Sequence, residues 1–201
     1  MTQRFLLTLA FLIFSIGQSS IAQTAIGFQG GLNWSKYDGE NQTPGTVNNE
    51  GTASNYGALG QLALGHDFAF VVNVSFIDKL VISDVPGYDG QSYAHVETHY
   101  KFTHYSILLK KEFPIQSFSP YVLFGPSYED LKSVNSTIRT FGMYFNEDLT
   151  TSSGPNHLTI DIGVGAQYAP LTNLCVFVDG RYSFAHNILS AQLWSGFMFT
   201  L

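Results

Sequence analysis

The sequence of 201 residues has few charges, one cysteine and no long apolar run beyond its first residues. Charged residues make up 12% of the chain, about half of their share in ordinary globular domains. The single cysteine, Cys175, excludes an intramolecular disulfide and a zinc site of the multi-cysteine kind. The negative net charge argues against nucleic acid as a partner, because that ligand needs a basic face. Aromatic residues, at 15%, and glycine are abundant instead.

The N-terminal residues have the pattern of a secretory signal peptide. A basic start with Arg4 precedes an apolar run over residues 5–16, and small residues follow up to Ala22. The run is shorter than the ~20 residues that a membrane-spanning helix needs, so an anchor helix is disfavoured. We predict a signal peptide over residues 1–22 and one mature domain over residues 23–201. Loss of the leader removes Arg4 and no acidic residue, which leaves 8 basic against 15 acidic residues.

Beyond the leader, apolar residues recur at every second position, which is the period of a β-strand with one apolar face. In HLTIDIGVGAQY, for example, the intervening residues are Thr, Asp, Gly and Gln. The polar face of a soluble sheet is usually richer in charge, whereas small uncharged residues suit the crowded interior of a small barrel whose outer face meets lipid. Eight such segments are present, at residues 24–36, 57–65, 68–81, 98–112, 119–131, 157–169, 173–185 and 190–201.

The connections between these segments alternate in length, with one short exception at residues 186–189. The long connections are residues 37–56, 82–97 and 132–156. This alternation is typical of an outer-membrane barrel with long extracellular loops and short periplasmic turns. We therefore predict an all-β fold, an eight-stranded antiparallel up-and-down transmembrane β-barrel in the outer membrane of a Gram-negative bacterium. An even number of strands places both termini in the periplasm.

The chain ends on an apolar strand, GFMFTL, with no polar tail. We expect this strand to close onto the first one, which leaves no unpaired edge in the lipid. The ending resembles the C-terminal assembly signal of outer-membrane proteins, in which a glycine precedes alternating apolar residues. The resemblance implies that Gly196, Phe199 and Leu201 are recognised by the barrel-assembly machinery.

Four further stretches carry a family resemblance. IGFQGGLNWS, SPYVLFGPSY, DIGVGAQY and VFVDGRYSFAHNI resemble strands 1, 5, 6 and 7 of the outer-membrane β-barrel family common in Bacteroidetes, the porin family or PorT-like proteins. The resemblance covers the mature chain and implies an eight-stranded outer-membrane barrel. It does not imply one activity, although the PorT branch is associated with protein secretion and gliding.

One pair of residues is typical of an enzyme. His104 and Ser106 form a His-x-Ser pair similar to that of eight-stranded lipid A deacylases, where a histidine activates a nucleophilic serine. In those enzymes asparagine follows the serine and the pair lies near the end of the chain, whereas here Ile107 follows and the pair lies in the fourth segment. We therefore interpret both residues as lumen residues that form hydrogen bonds inside the barrel.

Three neighbouring residues in a predicted loop, His95, Glu97 and His99, are of types that bind metals. Loop histidines are more often solvated, and the other histidines are scattered along the chain. We therefore predict no metal site, no cofactor and no catalytic residue.

Asp161, Asp179 and Arg181 fall on the lumen side of their segments, where a charge needs a partner. A turn centred near Leu171 would place Asp161 opposite or diagonal to Arg181, with Asp179 as the alternative partner. Eight strands leave an interior just wide enough for side chains, which disfavours an open pore.

Together these features predict a non-enzymatic barrel whose exterior contacts lipid and lipopolysaccharide. Its loops would bind surface proteins or glycans, or support secretion and envelope integrity. The alternatives are an enzyme that modifies lipid or lipopolysaccharide and a pore for small solutes. The predicted contacts or rim anchors are Trp34, Tyr37, Tyr88, Tyr93, Tyr144 and Phe145.

Overall fold

The computed structural model describes residues 24–37, 47–86, 93–141, 146–151, 156–184 and 188–201. Within these ranges the chain forms nine strands: β1 (Thr24–Tyr37), β2 (Val47–Gly65), β3 (Phe68–Pro86), β4 (Tyr93–Glu112), β5 (Phe118–Phe141), β6 (Asn146–Thr151), β7 (His157–Leu171), β8 (Leu174–Phe184) and β9 (Ile188–Thr200). None of the described residues belongs to a helix that could cross a membrane. The predicted leader lies outside the described residues.

Eight of these strands close a barrel. Neighbours pair antiparallel in the order β4-β3-β2-β1-β9-β8-β7-β5, and β4 pairs with β5 to complete the circle. β6 is not a ninth wall position, because β6 and β7 pair with successive parts of β5 in registers that differ by one residue. The predicted fold class, an eight-stranded antiparallel barrel, is confirmed.

The strands are tilted, as the pairing registers show. From Gly31 the chain of paired residues reaches β4 at Phe102 in one direction and at Glu112 in the other. A stagger of about 10 residues at ~3.3 Å, over eight strands spaced ~4.8 Å apart, gives a tilt of roughly 40°. This geometry is that of a small membrane barrel.

Exposure alternates along the strands with the apolar side chains outside. On β1, Phe28 is 60% exposed and Gln29 only 5% exposed. The inward positions of the other strands are likewise filled by buried Asn, Ser, Gln and charged residues together with some apolar ones. Leu108 and Leu123 interrupt the pattern and point inward, as predicted, since both are buried. An apolar exterior over a polar interior is the inverse of a soluble barrel.

The apolar exterior forms a band between two aromatic rings. On β3 the band runs from Phe68 to Phe76, roughly 20 Å at the tilt derived above. At its far limit the rings of Tyr56 and Phe76 lie 5.3 Å apart, and the next outward residue, Asp78, is charged. The aromatic residues near that limit are Trp34, Tyr56, Phe76, Tyr105, Tyr128 and Tyr182, and those at the opposite limit are Phe68, Phe113, Phe118, Tyr168 and Phe199.

The two ends of the barrel differ. One end, here called the turn end, carries the turns at residues 66–67, 113–117 and 172–173 and both ends of the described chain. There the Leu201 amide donates to the Thr24 carbonyl at 2.8 Å. At the opposite end, the open end, β2 to β5 continue well past the aromatic ring. β1, β8 and β9 end close to it.

The expected long loops are therefore largely strand, which corrects the prediction for residues 37–56, 82–97 and 132–156. β3 and β4 stay paired up to Pro86 and Tyr93, and β5 continues to Phe141. The sequence misses these extensions for a physical reason. Beyond the apolar band both faces of the sheet contact water, so apolar residues no longer alternate with polar ones.

Candidate functional site

The upper lumen contains a buried charge cluster that joins β3, β4, β5 and β7. Lys79 Nζ donates to both carboxylate oxygens of Glu129, at 2.7 and 2.8 Å. His104 lies between two carboxylates, with Nε2 3.0 Å from Asp161 and Nδ1 3.5 Å from Glu129. Ser183 Oγ donates to Asp161 at 2.7 Å. Each of these side chains is shielded from solvent, so every charge depends on its neighbour.

A second cluster lies lower in the lumen, around Arg181. Its guanidinium donates to both oxygens of Asp179, at 2.7 and 3.1 Å, and to Gln29 at 3.3 Å. Tyr121 donates its hydroxyl proton to Asp179 at 2.9 Å. Asp179 therefore accepts hydrogen bonds from its own strand, β8, and from β5, which lies beyond β7.

The geometry binds Arg181 to its alternative partner and not to Asp161. Gly163 is the residue opposite Arg181, and Ser183 is opposite Asp161, so Asp161 and Arg181 occupy the diagonal positions that the sequence allowed. The β7–β8 turn lies at residues 172–173, beyond Leu171, which moves the residue opposite Arg181 by two positions from the one expected for a turn centred at Leu171. Asp179, the alternative partner, lies on the same strand and face as Arg181 and binds it.

An apolar layer separates this polar interior from the turn end. Its members are Ala25, Leu59, Val71, Leu108, Tyr121, Leu123, Phe177 and Met198. Six of them line a cavity together with Gln61, Lys110, Asp179 and Arg181, and its volume of about 20 Å³ has room for about one water molecule. Below it, Lys110 Nζ lies 2.9 Å from Glu112 and 4.3 Å from the centre of the Tyr121 ring. The barrel interior is therefore filled with side chains.

The His-x-Ser pair lies in this interior. His104 and Ser106 point inward from β4, and both are buried. His104 contacts carboxylates, whereas the Ser106 hydroxyl has no hydrogen-bond partner among the described residues. The histidine therefore does not activate Ser106 in this arrangement.

The other three candidate residues lie on β4 and not in a loop, which corrects the expectation from sequence. His95 Nδ1 is 2.7 Å from Asp84 on β3, and its Nε2 is 3.4 Å from Glu97. His99 Nδ1 is 3.0 Å from Asp78. The hydrogen bond to Asp84 raises the pKa of His95 above its usual value. The described residues contain no group of three or more His, Cys, Asp or Glu side chains arranged to hold a metal ion.

The predicted rim aromatics are only partly described. Trp34 lies on the outer face of β1 and is 38% exposed. Tyr37 ends β1 and Tyr93 begins β4. Tyr88, Tyr144 and Phe145 lie outside the described residues.

The C-terminal strand makes the closing contact of the barrel. Phe199 pairs with Ile26 on β1 and exposes 44% of its surface on the apolar exterior. At Gly196 a Cβ atom would lie 2.2 Å from the Phe28 carbonyl oxygen, so only glycine permits this approach of β9 to β1. Leu201 is exposed at the end of the same strand. The role of these residues in assembly stays a prediction.

The strand extensions at the open end form a separate structure, here called the crown: residues 47–50 of β2, 80–86 of β3, 93–101 of β4, 130–141 of β5, and β6. The sequence segments 36–50, 80–101 and 130–151, which include the crown strands, contain nine acidic and four basic residues. The acidic residues are Asp38, Glu40, Glu50, Asp84, Asp89, Glu97, Asp130, Glu147 and Asp148, and the basic ones are Lys36, Lys101, Lys132 and Arg139.

Sequence comparison assigns a family to this barrel. Residues 6–193 match the family model described as the outer membrane protein beta-barrel domain. The chain belongs to this family. No curated protein matches it in sequence. With its apolar band and closed strand ladder, the protein is an integral outer-membrane β-barrel of a Gram-negative bacterium.

Two solved structures with TM-scores of 0.51 show the same fold at low sequence identity. Neisserial surface protein A is 12% identical, with 88% of this chain and 99% of that one covered and a TM-score of 0.51. OprG from Pseudomonas aeruginosa is 11% identical, with 90% and 97% covered and a TM-score of 0.51. Ail of Yersinia pestis, solved in complex with the heparin analogue sucrose octasulfate, is 15% identical, with 90% and 99% covered and a TM-score of 0.48. The resemblance to the PorT-like branch stays a prediction.

Proposed function

We propose that this protein is a closed, non-enzymatic outer-membrane barrel whose crown is a docking surface for a basic partner outside the cell. The observation that carries the proposal is the separation of charge. The crown segments hold nine acidic and four basic residues, whereas the rest of the chain beyond residue 22 holds six acidic and four basic residues. Nine of the 15 acidic residues of the sequence therefore fall in the crown segments.

The imbalance has no role in holding the barrel together. In the lumen each carboxylate has a cationic or histidine partner within 4 Å. In the crown, Asp130 lies 2.5 Å from Lys132, and Asp84 and Glu97 both lie within 4 Å of His95, so the contacts there are local and partly exposed. Excess charge of one sign opposes compaction and attracts ligands of the opposite sign. We infer that the crown retains this excess of acidic residues for recognition of a basic partner.

The filled lumen supports docking over transport. Between the Lys79–Glu129 pair and the apolar layer, side chains occupy the cross-section, and Trp194 and Leu108 are both fully buried. A small-solute pore would need a continuous polar passage. The buried position of His104 likewise keeps it away from any lipid substrate, which disfavours the enzyme alternative.

The proposal includes the orientation of the barrel in the outer membrane. The signal peptide at residues 1–22 exports the chain, and Gly196, Phe199 and Leu201 direct its assembly. Both termini and the short turns face the periplasm, and the crown faces outward. The resemblance to PorT-like proteins extends the proposal to a partner in secretion or envelope integrity.

Binding of poly-lysine to the full chain in lipid discs tests the proposal. We expect binding of poly-lysine, no binding of poly-glutamate, and a loss of affinity as salt screens the exposed charges. Replacing Glu97 by Gln together with Asp130 by Asn should weaken binding. The matched control, Asp67→Asn at the turn end, should not. Equal binding of both polymers, or equal loss in the control, would contradict the proposal.

A further inference from the structure

One strand of the crown has an unpaired edge. β6 pairs with β5 from Asn146↔Arg139 to Thr151↔Val134. Among the described residues no strand pairs with the other side of β6. A strand edge without a strand partner can accept an added strand through its backbone N–H and C=O groups.

The neighbouring wall strand ends too low to cover this edge. β8 is the next strand around the barrel, and its last residue, Phe184, pairs with Ile160 of β7. Ile160 pairs in turn with Pro126 on β5, whereas β6 begins to pair at Val134. Val134 is eight positions beyond Pro126 on β5, which corresponds to roughly 26 Å along the strand. β6 therefore stands well above the end of β8.

The residue types in β6 favour a basic strand over a second copy of β6 as the strand that pairs with this edge. Two of its six residues, Glu147 and Asp148, are acidic, and it contains no basic residue. Pairing of two copies of β6 would bring four acidic residues together, which is unfavourable across a strand pair. A basic strand would instead place opposite charges across the pair.

We propose that an extended, basic polypeptide segment of a partner protein binds by adding a strand to the free edge of β6. Backbone hydrogen bonds supply the affinity, and the acidic residues of the edge select a lysine- or arginine-rich sequence over a second copy of this chain. The inference rests on the proposed function, because it specifies how the acidic crown recognises its partner.

The test uses three soluble peptides and the full chain in lipid discs. The first peptide alternates lysine and threonine, the second carries the same charges with two central prolines, and the third replaces lysine by glutamate. Proline removes backbone donors and cannot continue a ladder. We expect only the first peptide to bind, and infrared spectroscopy of its ¹³C-labelled carbonyls should show antiparallel strand pairing.

Two double variants with the same change in charge locate the site. Glu147→Lys with Asp148→Lys should weaken binding of the lysine–threonine peptide by about tenfold, because a basic strand then meets a basic segment. The double variant Asp84→Lys with Glu97→Lys makes the same change in charge on β3 and β4, away from β6. It should weaken binding of the lysine–threonine peptide less. Heat-shifted migration in detergent checks that each variant still forms a barrel.

The remaining outcomes separate this inference from the proposed function. Equal binding of the proline peptide, with equal losses in both double variants, would overturn strand addition and leave the acidic docking surface in place. No binding of any basic peptide would overturn both. Disulfide cross-linking of two copies through a Thr150→Cys variant would show that a second copy occupies the edge, which would also overturn the inference.

Discussion

The lumen and the crown use the same strands but arrange charge in opposite ways. In the lumen, Lys79 and Glu129 bind each other across the barrel with their side chains at most 1% exposed. In the sequence of the crown segments, acidic residues such as Asp84 and Glu97 outnumber the basic ones. A buried charge needs a partner inside the chain. An exposed charge does not, so the crown can hold an excess that attracts a partner from outside.

Breaking a lumen pair should have the largest effect on stability. Glu129→Leu leaves Lys79 buried without its partner, which costs about 3–5 kcal/mol of unfolding free energy. The double variant Lys79→Met with Glu129→Leu should recover most of the loss, because no unpaired charge remains. Urea unfolding in detergent measures both. A single variant as stable as the wild type would show that the pair does not hold the lumen together.

Charges on the apolar exterior should have the next largest effect. Phe199→Asp places a carboxylate against lipid at a cost of about 1–2 kcal/mol, less than the cost of Arg or Lys at the midplane. Combined with Leu201→Asp it also removes the predicted assembly signal, so we expect little folded barrel in the outer membrane. The control is Thr200→Asp, on the opposite side of β9. Normal surface display of the double variant would contradict the role given to this ending.

The crown should show a small dependence on pH through His95. Its pKa is raised above 6.5 by the Asp84 carboxylate, so protonated His95 stabilises the folded crown. That contribution is complete below the unfolded pKa and is lost as the pH rises through the higher folded value. Thermal unfolding above pH 6.5 should therefore show a slight loss that His95→Asn lacks. An identical pH profile for the two proteins would show that the contact is too weak to matter.

The sequence predicts the structure of the apolar band better than that of the crown, and the reason is physical. Within the apolar band, lipid on one side and a crowded lumen on the other impose strict alternation, so Phe28 and Gln29 are assigned to their faces directly. In the crown both faces meet water, and residues 82–86 of β3 lose the pattern although their ladder to β4 persists.

Contacts across the lumen are also beyond sequence reasoning. Lys79 and Glu129 lie on strands that are not neighbours, so no hairpin register relates them. The only available signal was a lysine and a glutamate at inward positions of strands with an apolar outer face. Arg181 shows the opposite case, because the position of one turn, at residues 172–173 and not at Leu171, is enough to change the residue opposite it from Asp161 to Gly163.

One binding experiment compares the two regions directly. Poly-lysine is titrated against the full chain in lipid discs with the lumen neutralised (Lys79→Met with Glu129→Leu) or the crown neutralised (Glu97→Gln, Asp130→Asn, Glu147→Gln and Asp148→Asn). The account predicts that the lumen variant binds like the wild type. It predicts that the association rate of the crown variant falls about tenfold, because the steering field is lost. Reduced binding by the lumen variant with unchanged binding by the crown variant would contradict the assignment of recognition to the crown.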